Sequence, residues 1–392
     1  MLVENNPFRF DPRVRQEADA LVKAGYRVSA ICPADARRVW RESVDGVKVY
    51  AYPAPPPGTG LLSYAWEYGY SLAATFVLSL LAWMDGGFDI LHTANPPDTA
   101  VFMAWFYKIF GVRFIFDHHD LAPEMYWERF EEKGSRIVYK SLLEMERLSC
   151  QAADQIIATN ESYKKIEMER HHVPEKRITI VRNGPRLDKF HTVPSDLALK
   201  QKGKIILGFV GVMARQDGVD YLLRALHRLV HDLKRDDFYC VIIGRGSALP
   251  ELKALAAQLG LNDHVWFTGF IPDEDMLRYL STADICIDPD PSNAFNDRCT
   301  MIKMMEYMAM GKPIVAFDLP EHRVSGGEAA VYAKPNEELD LARKIAELMD
   351  DPERRARMGQ LGRQRVESDL HWDRQAEQLI RAYGLLTARS GA

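Results

Sequence analysis

Short apolar runs along the chain alternate with longer stretches in which apolar residues return every three or four positions. That alternation predicts parallel sheets with helices on both faces. In the first half the strand candidates are Val28–Cys32, Val47–Tyr52, Ile90–His92, Arg113–Asp117, Gln155–Ala158 and Ile178–Val181. Asp11 to Gly25 reads as a helix: Asp11 caps it, Pro12 suits its first turn, Val14, Ala18, Leu21 and Val22 share a face, and Gly25 stops it. A polar stretch, Asn183–Lys204, interrupts the pattern and reads as a linker. The alternation then restarts with Ile205–Val210, Phe238–Ile243, Val265–Phe270, Ala283–Ile287, Pro313–Phe317 and Ala329–Tyr332, and closes on a helix over about His371–Leu386. The expected fold class is α/β, with two doubly wound units in series. Such sheets bind ligands beyond the carboxyl ends of their strands, so two facing units would place the site in a central cleft.

Length and composition agree with two domains. The chain has 392 residues, too many for one ordinary core, and 47% hydrophobic with 27% charged residues is the balance of a soluble globular protein. A formal charge of -5 gives no overall attraction to nucleic acid, which is not an expected partner. Cys32, Cys150, Cys240, Cys286 and Cys299 stand far apart, mostly within apolar runs, with no CxxC or histidine pairing. They read as buried thiols in a reducing compartment, which points to the cytoplasm. The amino terminus meets polar and acidic residues at once, so no secretory signal is expected, and Met1–Val3 reads as the second half of a first buried strand. The most membrane-like stretch, Leu61–Met84, carries one charge, Glu67, and lacks basic flanks. It reads as a packed helix, with contact to a membrane surface as the second reading.

Several turns carry residues suited to a ligand. After Ile205–Val210, Gly208 and Gly211 permit a tight turn, Arg215 extends into the loop, and a helix begins near Gly218. This is either an anion-binding turn with free amides or a plain tight turn with a solvated arginine. The next strand ends likewise on Gly244 and Gly246, which permit close approach of a ligand. The segment Asn296–Asp318 is more specific, because it crowds Asp297, Arg298, Lys303 and Glu306 around an apolar run. Thr300 is the cap candidate there, which would aim the amides of Met301, Ile302 and Lys303, with the Lys303 charge, at a diphosphate. Glu306 follows Lys303 on the same face; it either accepts hydrogen bonds from a ribose diol or forms a surface pair with Lys303.

In the first unit Asp117, His118, His119 and Asp120 end a strand. Adjacent histidines of an extended run point to opposite faces, and no third ligand stands nearby, so no metal site is expected. His119, Asp120 and Glu124 can hold sugar hydroxyls or move a proton, or they simply cap the strand end. Asn95 and Asp98 stand at a helix start, where capping alone can explain Asp98. The arginine-rich run from Pro352 to Glu367 reads as a solvated face, and there is no Ser-His-Asp elbow, P-loop or complete GxGxxG.

The stretches "DPRVRQEADALVKAGYRVSAICP", "DILHTANPPDTA", "DHHDLAPE", "ADQIIATNESY", "VRNGP", "VIIGRG", "LGLNDHVWFTGFIPDEDMLRYLSTADICI", "KMMEYMAMGKPIVA" and "HWDRQAEQLIRAY" run nearly end to end. With them the chain resembles the retaining glycosyltransferases of GT-B fold, in the large family four of bacterial envelope and exopolysaccharide enzymes. The resemblance implies two Rossmann-like domains facing a central cleft. Residues 1–185 would be the acceptor side, with a closing helix, 373–392, packing back on it, and 186–372 would bind a nucleotide-sugar donor. It implies transfer of a sugar, with retention, from a nucleoside diphosphate sugar, UDP favoured and GDP second, to a hydroxyl of a glycan or lipid-linked acceptor. Front-face attack, with the leaving phosphate helping to deprotonate the acceptor, is the implied chemistry. No cofactor and no metal are implied, and the implied place is the cytoplasm or the inner face of the cell membrane.

Glu306 matches the second glutamate of the E-x7-E motif of that family, which holds the donor ribose; the first falls on Arg298, leaving Asp297 as the nearest carboxylate. The arginine and lysine that relatives carry after the first strand of the second domain fall on Val212 and Asp217, so Arg215 and Lys303 are expected to take the diphosphate. His119 matches a histidine that approaches the donor sugar, Phe270 and Ile271 fall where the main chain meets the base, and Gly311 closes the helix. Gly211, Gly244, Gly246, Thr300, Met301 and Ile302 complete the expected donor site, and Arg13, Asn95 and Glu124 the acceptor side. The implied catalytic set is His119, Asp120, Arg215 and Lys303. Two other readings stay open: a sugar-nucleotide epimerase on the same fold, and a non-catalytic relative that binds nucleotide sugar or a partner enzyme, to which the half-broken motif lends weight.

Overall fold

The computed structural model describes residues 1–4, 6–55, 61–130, 133–202 and 204–387, so the end of the expected 373–392 helix lies outside the described residues. Contacts divide the chain into two compact units, Met1–Arg182 with Gln375–Ala392, and Asn183–Arg374.

In the first unit β1 (Ser29–Pro33), β2 (Arg41–Val44) and β3 (Val47–Tyr52) pair in the order β2-β3-β1, with β1 and β3 parallel and β2 antiparallel to β3. A second, parallel sheet runs β4 (Ile90–Ala94), β5 (Arg113–His118), β6 (Gln155–Ala158) and β7 (Ile178–Ile180) in chain order. Leu2 forms parallel bridges to Ile31 of β1 and to Thr93 of β4, so the expected buried strand at Met1–Val3 is a single ladder position that joins the two sheets. Strand β2 was not expected, because Arg41, Glu42 and Ser43 make it polar. It is an edge strand closed by a two-residue turn, Asp45-Gly46, both at positive φ (51° and 83°), the conformation that an Asp-Gly hairpin favours.

The helix Pro12–Lys23 begins as the sequence predicts: Asp11 accepts from the Val14 amide at 2.9 Å and Pro12 stands in the first turn. Leu61–Met84 is one helix, with Ser71, Thr75, Ser79 and Ala82 buried. Among the described residues no helix is long and apolar enough to cross a membrane. The closing helix is Trp372–Thr387; its Tyr383 is buried in the first unit, where the hydroxyl lies 2.7 Å from His92 Nδ1.

The second unit has one fully parallel sheet of β8 (Ile205–Val210), β9 (Phe238–Ile243), β10 (Val265–Gly269), β11 (Ile285–Asp288), β12 (Ile314–Phe317) and β13 (Ala330–Ala333). The order is β10-β9-β8-β11-β12-β13, so the winding reverses between β8 and β11. Such a switch point opens a crevice at the carboxyl ends of the two strands, where doubly wound sheets bind ligands. Both sheet faces are covered, one by Leu222, Leu226 and Ile345 with their neighbours, the other by Met304, Met308 and Leu280 with theirs. The arginine-rich helix Pro352–Arg365 is more than a solvated face. Arg355 donates to Leu348 O and Met349 O at 2.6 and 2.7 Å, and Arg365 donates to Ser325 O and Val324 O at 3.0 and 2.7 Å, so these guanidinium groups satisfy main-chain carbonyls.

Candidate functional site

The switch point of the second unit gathers charge. Tyr307 fastens it: its hydroxyl accepts from Val210 N at 2.9 Å, at the end of β8, and donates to Ile287 O on β11 at 3.5 Å. Asp288 ends β11 wholly buried, and Asp290 follows it, 1% exposed. Lys303, in the first turn of the helix Ile302–Ala309, donates to Asp290 and lies 3.5 Å from Asp288 Oδ1. His322 Nε2 faces Asp288 Oδ2 at 3.6 Å, its ring fixed by Nδ1 against Phe317 O at 2.8 Å. Burial works to raise the Asp288 carboxyl, but Lys303 and His322 outweigh it and hold the pKa at about 2. Burial and the charge of Asp288 push Asp290 well above the ordinary carboxyl range. The two carboxyls therefore titrate as a coupled pair beside the Lys303 ammonium.

The glycines here serve the main chain. Gly218, at φ +62°, caps the helix Val219–His231, and a Cβ on it would stand 2.0 Å from Pro289 O between the two aspartates. Gly244 and Gly246 were expected to admit a ligand. They admit the neighbouring loop instead: a Cβ on Gly244 would meet Gly211 O at 1.9 Å and one on Gly246 would meet Met213 O at 2.2 Å. The bonds Gly211 N to Ile243 O (3.1 Å) and Met213 N to Arg245 O (3.0 Å) continue the β8–β9 ladder through this contact. Gly244→Ala, also strained by φ +137°, is expected to cost about 3 kcal/mol or more, read as a lowered urea midpoint; an unchanged midpoint would mean that the two loops do not meet as described.

Thr300 is not the expected helix cap. The N-cap is Met301, without a side-chain cap bond, and Thr300 Oγ1 donates to Glu321 Oε2 at 3.4 Å. The outcome for the amides is the expected one, since those of Met301, Ile302 and Lys303 donate to no group among the described residues. Glu306, one turn further on, makes no ion pair with Lys303 or with any other described residue, although it is half-buried. Burial pushes its pKa up to about 7, against a weaker pull from Lys189 and Lys303. Asp297 accepts from Ser292 Oγ at 3.2 Å, and Arg298 donates to Ala294 O within the same 3-10 turn, Asn296–Arg298. Arg215 is exposed in a short turn, Arg215–Asp217, that leads into Gly218. Phe270 is 72% exposed beyond β10 with the Arg245 guanidinium 4.8 Å from its ring centroid, while Ile271, half-buried, packs against the core.

In the first unit the expected residues separate into two buried networks. Arg13 grips Asp117 with Nε and Nη2 at 2.9 and 2.6 Å and lies 3.2 Å from Glu17. His92 Nε2 stands 3.5 Å from Glu17 and 3.7 Å from Asp117, and His119 Nδ1 lies 3.4 Å from Asp117. Asn95 Oδ1 accepts the amides of His119 and Asp120 at 2.8 and 3.0 Å. Glu124 belongs elsewhere: it pairs with Arg170, which also bonds Glu146, and Glu146 with Glu167 surrounds His118. Burial alone would lower the His118 pKa, but the two carboxylates raise it to about 10. Asp98 caps nothing; it is buried, and burial pushes its pKa up to about 7. Thus Arg13, Asn95 and Glu124, expected on the acceptor side, are all engaged by partners within the unit.

Among the described residues, Glu17-His92-Asp117 and Asp288-Asp290-His322 have the donor spacing of a metal site. Each already encloses a side-chain cation, Arg13 or Lys303, which a metal ion would have to displace. Asp288, Asp290 and His322 were not singled out in the sequence. A signal existed: "ICIDPDP" ends an apolar strand on two aspartates, and a carboxyl end of a central strand is where an acidic residue carries chemistry.

Residues 11–184 match the model described as a glycosyl transferase 4-like domain, and residues 196–365 match that of glycosyl transferases group 1. An uncharacterized glycosyltransferase of Methanocaldococcus jannaschii is 25% identical over 236 residues, 59% of this chain and 58% of that protein, so the match spans less than two thirds of its length. The sucrose-phosphate synthase structure from Thermosynechococcus elongatus superposes with a TM-score of 0.79 at 20% identity, covering 96% of this chain and 93% of that one. Anabaena HepE in complex with UDP-glucose superposes with a TM-score of 0.73 at 17% identity over 98% of both chains.

Proposed function

From the premise that the chain belongs to the GT-B glycosyltransferases, its two halves matching two glycosyl transferase domains, we propose that it moves a sugar from a nucleoside diphosphate sugar to an acceptor hydroxyl. Glu306 carries the reading. Its half-buried carboxylate has no partner among the described residues, and a ribose diol offers it two donors in exchange for water. The free amides of Met301, Ile302 and Lys303 lie one turn away, where a diphosphate attached to that ribose would meet the positive end of the helix. Arg215 is the cation we assign to the leaving diphosphate, whose charge grows as the glycosyl bond breaks.

The reaction we propose is metal-independent, with retention by front-face attack, of the family-four kind. Support comes from Asp288 and Asp290 being tied to Lys303 rather than free to attack a sugar. UDP is the favoured nucleotide, as HepE was crystallised with UDP-glucose, and GDP is the other choice. Calorimetric titration of UDP and GDP, followed by incubation of the matching nucleotide sugar with and without acceptor, tests the reading. Product formed only with acceptor supports transfer. Inversion of a ring carbon without acceptor makes the protein an epimerase, and nucleotide binding without turnover makes it a binding subunit.

We propose a glycan or lipid-linked acceptor in envelope or exopolysaccharide synthesis, met in the cytoplasm or at the inner membrane face. The first unit carries an apolar surface suited to lipid. Val77, Leu81 and Met84 line one side of the helix Leu61–Met84, and Phe102 and Trp105 lie on the helix Val101–Lys108 with Ile109 just beyond it; all are exposed, and the two helices touch through Phe76 and Phe106, ring centroids 5.1 Å apart. Flotation with anionic liposomes is expected to carry the protein up, and Trp105→Ser with Ile109→Ser to release it; a wild-type protein that stays at the bottom with every lipid removes this surface from the proposal.

A further inference from the structure

We propose that the gap between the first halves of β1 and β4 is a strand seat, filled by two or three residues of extended main chain that lead into Met1 and run parallel to both strands.

Leu2 already lies between β1 and β4 as a strand would. Its amide donates to His92 O at 2.8 Å and its carbonyl accepts from Ala94 N at 3.2 Å. On the other side Met1 O accepts from Ile31 N at 2.9 Å, and Val3 N donates to Ile31 O at 3.0 Å. The Met1 amine continues the series by donating to Ser29 O at 2.7 Å. Two strands that share such a neighbour stand two spacings apart, about 9.5 Å. Next in register towards the amino ends come His92 N, Ile90 O and Ser29 N. They face the gap, because Lys48 N donates to Val28 O and Arg113 N to Asp89 O, which puts Val28 and Asp89 on the opposite edges of their strands. Among the described residues none of the three has a hydrogen-bond partner, and His92 is 1% exposed. Buried main-chain groups are almost always paired, so these edges ask for a third strand.

There is room for it. A cavity of about 340 Å³ opens beside Met1, Ser29 and Ile90, and Leu21, Ala82 and Tyr383 wall it from the helices Pro12–Lys23, Leu61–Met84 and Trp372–Thr387. In parallel register the residue before Met1 would accept from His92 N and donate to Ile90 O, and the one before that would accept from Ser29 N. The amine itself is the second sign. A half-buried ammonium is out of place here, and burial pushes its pKa down to about 5. A peptide nitrogen at the same point would keep the bond to Ser29 O and carry no charge.

The test compares the chain Met1–Ala392 with two forms that carry Met-Lys-Ile-Val or Met-Lys-Glu-Pro joined to Met1. The Ile-Val form is expected to melt about 3 °C or more higher and to slow hydrogen exchange at the His92 and Ser29 amides about 100-fold. The Glu-Pro form is expected to do neither, since proline cannot donate to Ile90 O and the glutamate would bring a charge into the slot. Intact mass of the protein from its own cells is expected to exceed that of Met1–Ala392 by two residues or more. No gain from Ile-Val, or an equal gain from both forms, overturns the strand seat. A native mass no greater than that of Met1–Ala392 overturns the continuation through Met1, as does protection of the two amides in the unextended chain that grows with protein concentration, which would give the seat to a second copy. None of these readouts depends on sugar transfer.

Discussion

Glu306→Ala is expected to weaken binding of the preferred nucleoside diphosphate by about 10- to 100-fold, since a hydrogen bond to a charged group is worth about 1.5–3 kcal/mol and 1.4 kcal/mol is a factor of ten. Glu306→Gln, which keeps the size and one acceptor, should fall between. The affinity of the wild type should depend on pH with a definite sign. The free carboxyl has its pKa pushed up to about 7 by burial, and a diol prefers the ionised form, so binding releases a proton below that value. Affinity therefore rises with pH to about 7 and is level above it. The same shift has a cost for the empty protein. A carboxyl whose folded pKa lies above its unfolded value contributes stability at low pH that is lost as pH rises towards the folded value, so at neutral pH Glu306→Gln should melt slightly higher than wild type while binding less well. Calorimetry across pH on the three proteins reads all of this, and an affinity that ignores both the substitution and the pH would remove the ribose contact from the site.

The alternation of apolar runs and amphipathic helices was enough to read most strands of the three sheets, because strands such as β8 and β9 are buried on both faces and leave no charged residue to blur the pattern. Strand β2 escaped because an edge strand packs little and is polar for that reason. Single residues of the site were legible where their type is costly in the core, as with Glu306 and Lys303. Their partners were not. Asp290 meets Lys303 across 13 positions and Asp117 meets Arg13 across 104, and such pairings follow from strand order, which an unaligned sequence does not disclose. Gly244 and Gly246 illustrate a different limit: the sequence says that something approaches closely, and only the fold says that it is the main chain at Gly211 and Met213.

Lys303→Met separates the two uses that the lysine has been given. The substitution keeps an unbranched chain of similar length over the Phe209 ring, where the ammonium now stands 5.3 Å from the centroid, and removes only the charge. Asp288 is then a buried carboxylate without its cation, and breaking a buried pair from one side costs about 3–5 kcal/mol. The sign of the pH dependence follows from the same groups. In the wild type Asp288, held at about 2, contributes stability above its unfolded pKa and loses it only as pH falls through that low value. Without Lys303 only His322 and the bonds from Asp290 are left to oppose burial, so the folded pKa of Asp288 rises and the variant gains less stability than wild type as pH rises. The gap between wild type and variant should accordingly be widest near pH 8 and narrow by pH 5, as urea melts at the two values will read. A gap that does not move with pH would mean that the ammonium does not balance this carboxylate. Nucleotide affinity supplies the second comparison. Because Asp288 and Asp290 already neutralise most of the field of Lys303, the loss of affinity in Lys303→Met should be smaller than in Glu306→Ala, with the diphosphate held chiefly by the amides of Met301, Ile302 and Lys303. A larger loss would mean that the ammonium leaves Asp290 when the diphosphate binds, and the expectation drawn from the sequence, that Lys303 itself takes the anion, would then hold.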